Sequence, residues 1–121
     1  MTAANTPETH RPLRPAVFHI LLALADGDRH GYAIKKEVEE RTSGAVRMGP
    51  GTLYESIQRM EESHLIEESD RRPGPADDKA QRRYYRLTSH GQAVLRAEVA
   101  RLADVLDYAK TKPILRDLGH A

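Results

Sequence analysis

The strongest constraint on this chain is an apolar stripe close to its C-terminal end. Apolar residues recur there at steps of four, three, four and three, at Leu95, Val99, Leu102, Leu106 and Ala109. A helix that starts at Thr88 or Ser89 and carries this coiled-coil seam would have about 22 residues and a length of ~33 Å. Because a small domain cannot cover such a rod, the stripe predicts pairing with a second copy, most simply as a two-fold dimer. The alternative is that the rod folds back on its own domain.

The length allows one domain. The chain has 121 residues, and domains commonly contain ~100–150. Residues 1–12 are polar, carry two prolines and are expected to form a disordered arm. Residues 13–88 are expected to form the folded domain, and residues 89–121 a C-terminal helix with a tail, where Ile114, Leu115 and Leu118 form a last helical turn after Pro113.

Composition excludes several kinds of chemistry. The absence of cysteine removes disulfides, thiolate metal ligands and a cysteine nucleophile. The six histidines show no metal-ligand spacing, and no nucleophilic triad or phosphate-cradling loop is present, so we predict neither an enzyme nor a bound metal or cofactor. The chain has no signal-peptide core and no apolar run near ~18 residues, which predicts a cytoplasmic protein. Its 19 basic and 18 acidic residues leave a net charge of +1, so any affinity for nucleic acid requires local charge placement.

Three helical patterns precede two extended segments. The first helix begins near Pro15 and ends at Asp26–Asp28, the second runs from about Gly31 to Thr42, and the third follows a turn at Gly49–Thr52 and ends near Ser63–His64. The extended segments are Leu65–Ser69 and Arg82–Thr88, joined by a long projecting loop. In the second of them, Tyr85 and Leu87 alternate with Tyr84 and Arg86, which indicates a half-buried strand.

This order predicts a mainly α fold with a small β-hairpin, that is, an α+β winged helix-turn-helix domain followed by a long dimerisation helix. Such a module places its third helix in the DNA major groove and its loop, the wing, on the backbone beside it. Within the third helix, Leu53, Ile57 and Met60 form a narrow core stripe.

Four stretches of the sequence also carry a family resemblance. They are Arg29–Ile34 (RHGYAI), Gly49–Tyr54 (GPGTLY), Arg59–Glu61 with Leu65–Ile66, and Arg83–Thr88 (RYYRLT). Together, and in this order between Leu13 and Leu106, they resemble the PadR family of bacterial transcriptional regulators, in particular its compact members with a single C-terminal helix.

The resemblance implies a homodimeric winged-helix protein that binds double-stranded DNA, usually as a repressor, with the C-terminal helix forming the dimer. It further implies a pseudo-palindromic operator and release by a small-molecule effector. The chain has no tryptophan, so the tryptophan-lined drug pocket of some family members does not carry over.

Candidate DNA contacts lie on the third helix. Thr52 and Tyr54 are expected to bond phosphates, Gln58 to bond adenine, and Arg59 to bond guanine or a phosphate. Glu55 either accepts a hydrogen bond from cytosine or lies outside the groove. The alternative for the whole set is an ordinary solvated helix face.

The wing supplies the second group of candidates. Between Arg71 and Arg86 there are six basic and two acidic residues, a local net charge of +4 that favours phosphate contact. We assign phosphate contacts to Arg72, Lys79 and Arg83, and a weaker backbone contact to Lys35 on the second helix. The alternatives are a flexible polar loop and a solvated helix face.

Two other functions fit the same fold. One is a protein-interaction module that does not bind DNA, and the other is a small-molecule sensor without direct DNA binding. The basic wing argues against both.

Overall fold

In a computed structural model of the chain, residues 6–7, 11–70 and 83–120 are described, with the side chains of residues 118–120 left aside. The elements follow one another as helix α1 (Pro15–Ala23), strand β1 (Arg29–His30), helices α2 (Gly31–Arg41) and α3 (Pro50–Glu62), strands β2 (Ile66–Glu68) and β3 (Tyr84–Leu87), helix α4 (Ser89–Ala109) and a 3-10 helix (Pro113–His120). The predicted winged helix-turn-helix order is confirmed.

One apolar core joins the helices to the sheet. Helix α1 contributes Ile20, Leu21 and Ala23, and the predicted stripe of α3, Leu53, Ile57 and Met60, is buried as expected. Further buried side chains come from the other elements: Ile34, Val38, Met48, Leu65, Ile66, Tyr85, Val94 and Leu95. Since a fully buried aliphatic side chain contributes ~1.5–3 kcal/mol, this cluster holds the four helices and the sheet in one arrangement.

The two helices of the helix-turn-helix end in the same way. After α2, the Gly44 amide donates to the Glu39 carbonyl oxygen at 2.8 Å, and Ser43 adopts a φ of 53°. After α3, the Leu65 amide donates to the Met60 carbonyl oxygen at 2.9 Å, and His64 adopts a φ of 61°. Both ends are Schellman motifs with a non-glycine residue in the left-handed position. The second one turns the chain directly from α3 into β2.

The sheet has three strands, one more than the sequence indicated. Its order is β1-β3-β2, antiparallel throughout, with Arg29 opposite Tyr85 and Ile66 opposite Leu87. The predicted alternation of buried and exposed residues along β3 is wrong at Tyr84, which is buried like Tyr85. The reason is β1, because the ring of His30, the residue that pairs with Tyr84, contacts the Tyr84 ring edge-on at 5.3 Å between centroids.

Helix α4 begins inside the core of its own domain. Thr88 is its N-cap and accepts a hydrogen bond from the Gly91 amide at 2.9 Å, so the alternative cap at Ser89 is wrong. Gly91 lies directly against the Leu65 carbonyl, where a Cβ atom would clash. Leu95 is only 8% exposed and belongs to the core. Its predicted place in an exposed seam is therefore wrong, because this part of α4 packs on the chain itself.

A buried carboxylate ties the segment before α1 to the middle of α4. Glu98 is 3% exposed, accepts a hydrogen bond from the Leu13 amide at 3.0 Å and pairs with the Arg101 guanidinium at 2.8 Å. A guanidinium nitrogen of Arg11 also donates to the Ala97 carbonyl oxygen at 3.4 Å. The hydrogen bond from Arg101 lowers the pKa of Glu98, an effect that burial opposes and the Leu13 amide reinforces.

The depressed pKa of Glu98 predicts an acid-sensitive contribution to stability. A carboxylate with a lowered folded-state pKa stabilises the fold fully above its unfolded value of ~4.3 and loses that contribution as the pH falls through the folded value. We expect the difference in Tm between the wild type and Glu98→Gln to be largest near neutral pH and to shrink below it. Thermal unfolding from neutral to acidic pH tests this, with the exposed Glu62→Gln as control. A difference that does not change with pH would contradict the assignment.

Candidate nucleic-acid interface

Helix α3 separates its residues sharply into two faces. The core face is formed by Leu53, Ile57 and Met60, each at most 2% exposed. The candidate contacts Thr52, Glu55, Gln58 and Arg59 are all exposed. The structure thus brings four of the predicted side chains onto one solvent-facing surface, on a helix that is fixed from behind by close packing.

The N-terminal end of α3 is open. The sequence placed Gly49–Thr52 in a turn before the helix, but Gly49 is the N-cap, Pro50 occupies the first helical position, and Gly51 and Thr52 belong to the first turn. Apart from the neighbouring residues and the backbone of the helix itself, no atom of the described residues lies within 4 Å of a Cβ built on Gly49 or Gly51. An external group therefore has direct access to the backbone amides at this end of the helix.

Tyr54 has a structural contact that the sequence did not reveal. Its side chain is half-exposed, and its ring lies against Gly31 at the start of α2. A Cβ atom on Gly31 would lie 2.7 Å from the Tyr54 hydroxyl oxygen and 3.0 Å from Cζ. The ring of Tyr54 therefore helps to fix α3 relative to α2, while the exposed half of the side chain stays available at the surface.

Lys35, the candidate DNA contact on α2, forms an ion pair with a neighbouring residue of the same helix. The Lys35 ammonium lies 3.0 Å from a carboxylate oxygen of Glu39, one helical turn along. Such pairs stabilise a helix by ~0.2–0.5 kcal/mol, so the contact constrains Lys35 only weakly.

At the base of the wing, two arginines differ in their surroundings. Arg83 is exposed, whereas Arg86 pairs with Glu67 across the β2–β3 ladder at 2.9 Å. The hydrogen bond to Glu67 raises the pKa of Arg86. The predicted contacts Arg72 and Lys79 lie outside the described residues.

Two exposed arginines that the sequence reasoning passed over flank this region. Arg47 precedes the N-cap of α3, and Arg14 is the N-cap of α1. Among the described residues, neither has an ion-pair or hydrogen-bond partner for its guanidinium. Their signal in the sequence is weak, because single arginines outside the predicted wing and third helix do not stand out from the 19 basic residues.

The apolar side of α4 leaves the domain beyond Glu98. Val99, Leu102, Val105 and Leu106 are 44%, 39%, 53% and 46% exposed, and Ala109 is partly exposed. Four of the five predicted seam residues therefore lie on the uncovered part of the helix.

Described residues line two shallow grooves on the surface of the domain. One, of about 410 Å³, lies between the end of α1, strand β3 and the start of α4. The other, of about 250 Å³, lies between the segment before α1 and the C-terminal half of α3. The residues described include no cluster of side chains suited to a metal ion. They also include no helix long and apolar enough to cross a membrane.

These features define a winged helix-turn-helix module extended by a long C-terminal helix. Residues 20–97 match the Transcriptional regulator PadR-like family. The chain therefore belongs to that family, which confirms the resemblance predicted from the sequence. It is a transcriptional regulator and not an enzyme.

The chain is also similar to individual proteins. An uncharacterised protein of Lysinibacillus sphaericus is 37% identical over 71% of this chain and 76% of its own length. A transcriptional regulator of Mycobacterium tuberculosis is 36% identical over 64% of this chain and 65% of its own length.

Solved structures share the fold. A PadR family transcription regulator from Clostridium difficile has a TM-score of 0.66 at 26% identity, over 79% of this chain and 95% of that one. Bacillus subtilis PadR in complex with operator DNA has a TM-score of 0.61 at 22% identity, over 73% of this chain and 48% of that one.

The contact between Tyr54 and Gly31 predicts an energetic coupling between α3 and α2. Gly31→Ala forces the Tyr54 ring away from α2, whereas the same change in a Tyr54→Ala background meets no ring. We expect a coupling energy of about 0.5–1.5 kcal/mol from urea unfolding of the two single variants and the double variant. Tyr108 is an exposed tyrosine on α4, so the effects of Gly31→Ala and Tyr108→Ala on the free energy of unfolding should add. Additivity in both pairs would refute the contact.

Proposed function

We propose that this regulator binds a pseudo-palindromic DNA operator as a homodimer, acts as a repressor and is released by a small-molecule effector. The observation that carries the proposal is the polar face of α3, exposed over its whole length while the opposite face is locked into the core. A helix fits the major groove of B-DNA, and a rigidly packed one presents its side chains in a fixed register to the base edges.

The side chains of this face suit the groove. Gln58 can form a bidentate pair with adenine, Arg59 can bond guanine or a phosphate, and Glu55 can accept from cytosine. Thr52 and the open amides at the start of α3 favour phosphate contacts, since a helix N-terminus attracts anions. The exposed half of the Tyr54 side chain contacts the same phosphate backbone of the DNA.

The wing supports the proposal through its charge. Arg83 is exposed at the start of β3 and has no ion-pair partner among the described residues. With Arg72 and Lys79 it would supply the sequence-independent phosphate contacts that dominate affinity for DNA. Lys35 adds a weaker contact from α2.

The homodimer is supported by the uncovered part of α4. Leu102, Val105 and Leu106 continue the side of the helix that is buried at Val94 and Leu95, but none of the described residues covers them. A second copy related by a two-fold axis would bury both stripes against each other. Two α3 helices would then meet half-sites separated by about one helical turn, ~10 bp or a multiple of it.

Effector release is supported by the position of the larger groove. It is lined by residues of three elements, among them Leu24 on the segment after α1, Leu87 on β3 and Leu95 on α4. A molecule seated there would contact both the wing-bearing strand and the dimer helix. A difference in affinity between two dimer geometries would then change the spacing of the α3 helices, and the operator would be released.

The test is a footprint of the purified protein on the DNA upstream of its own coding sequence. We expect a protected, pseudo-palindromic site and a gel shift that an unrelated duplex does not compete away. If the protein shows no preference for any duplex at moderate ionic strength, the proposal fails and the protein-interaction and sensor functions take its place.

Arg83→Ala is expected to weaken binding to every DNA sequence by a similar factor, because it removes a phosphate contact. The slope of log K against log [KCl] should become shallower by about one. Fluorescence anisotropy at several KCl concentrations measures this, with the exposed Arg116→Ala of the 3-10 helix as control. An unchanged slope would exclude a phosphate contact at Arg83.

Leu102→Asp is expected to break the dimer, because it places a charge in the middle of the apolar stripe. Sedimentation at micromolar concentration should show a monomer with the helical content of the wild type. The matched control is Ala100→Asp, which puts the same charge on an exposed position of the opposite side of α4. A dimeric Leu102→Asp variant would refute the stripe as the interface.

A further inference from the structure

The smaller groove has the lining of an anion site. Its floor is apolar, formed by side chains such as Val17, Met60 and Leu65, and its polar side chains are those of Arg14, Arg59 and Ser63. Among the described residues, none of those that line it is acidic. Two arginines and a serine therefore line one concave surface without an acidic residue beside them in that lining.

The two arginines differ from three other described arginines in having no carboxylate partner. Arg29, Arg86 and Arg101 are each paired with a carboxylate at 2.8–3.2 Å. Arg14 and Arg59 have no such partner among the described residues. The larger groove also differs in its charge, because the acidic residue Asp28 lines it and its Arg86 is paired with Glu67.

We propose that the groove between the segment before α1 and helix α3 binds a backbone phosphate of the duplex, held jointly by Arg14 and Arg59. This rests on the proposed DNA-binding function and deepens it, because it adds a contact from α1 that lies outside the recognition helix and the wing. It also assigns Arg59 to the backbone rather than to a guanine.

The position of both arginines suits this role. Arg59 belongs to the exposed face of α3, while the next residue, Met60, points into the core and lines the groove. Arg59 therefore lies where the DNA-facing surface borders the groove.

The backbone of Arg14 is fixed on both sides. The Leu13 amide is bonded to Glu98, the Arg14 carbonyl accepts the Phe18 amide at 3.0 Å, and Pro15 restricts the next φ angle. Little backbone entropy is lost when its guanidinium binds, and a pair of guanidiniums matches the geometry of a phosphate.

The experiment compares Arg14→Gln, Arg59→Gln and the double variant, by anisotropy on the footprinted duplex from the upstream region over a range of KCl concentrations. The control is Arg116→Gln, the same change at an exposed arginine of the 3-10 helix that belongs to neither groove. Circular dichroism and sedimentation confirm that each variant folds and assembles as the wild type does.

We expect each single variant to weaken binding several-fold and to reduce the salt slope by about one. The salt slope of the double variant should also fall by only about one, because both arginines hold the same phosphate. Arg14→Lys should keep the slope of the wild type, and Arg116→Gln should not change it.

Three results would overturn the inference. If the salt slope of Arg14→Gln equals that of the wild type, α1 makes no phosphate contact. The proposed DNA-binding function would not be affected by this result. A decrease of about two in the salt slope of the double variant would show that the two arginines contact two separate phosphates. The third result is that inorganic phosphate stabilises the wild type but not Arg14→Gln, while the two proteins bind DNA equally well. This would show that the groove binds a small anion instead of a DNA phosphate. If the wild type binds no duplex, the proposed function fails together with this inference.

Discussion

The structure depends on one apolar side of α4, of which the domain covers only the first turns. Its first turns, with Gly91, Val94 and Leu95, close the core of the domain, and Gly91 allows the backbone to touch Leu65. The same side continues past Glu98 as an uncovered stripe. Because one rigid helix carries both surfaces, any partner that packs on the outer half sets the direction in which the domain, and with it α3, points.

Glu98 lies at the boundary between these two halves, and its contacts explain how the outer part is held. Its carboxylate binds the Leu13 amide and the Arg101 guanidinium, so the segment that leads into α1 is attached to α4 at the point where the helix leaves the core. Because the Glu98 carboxylate is buried, separating it from these partners would leave a charge without compensation, so the two segments are held together at this junction. A shift of α4 would therefore be transmitted to α1, and through the core to α3.

The sequence predicted the helices and the overall architecture, because their periodicities are long and strong. It placed the stripe of α3 and the ends of α2 and α3 correctly. It missed β1, since two residues carry no periodic signal, and consequently the burial of Tyr84 by His30. Leu95 was assigned to the dimer because the heptad spacing is the same whether a residue faces its own core or a second copy. The contact of Tyr54 with Gly31 depends on how two helices cross, which no local pattern records.

The charge distribution explains how a chain with a net charge of +1 can suit a polyanion. Five of the described acidic residues form ion pairs within the chain, namely Asp26 and Glu37 with Arg29, Glu39 with Lys35, Glu67 with Arg86 and Glu98 with Arg101. These pairs neutralise three arginines and one lysine. Among the described arginines without a carboxylate partner, four lie before α1, beside α3 and at the base of the wing: Arg14, Arg47, Arg59 and Arg83. Since screening limits exposed charges to a range of about 10 Å, this local excess decides what the surface attracts, and the balance of the whole chain does not.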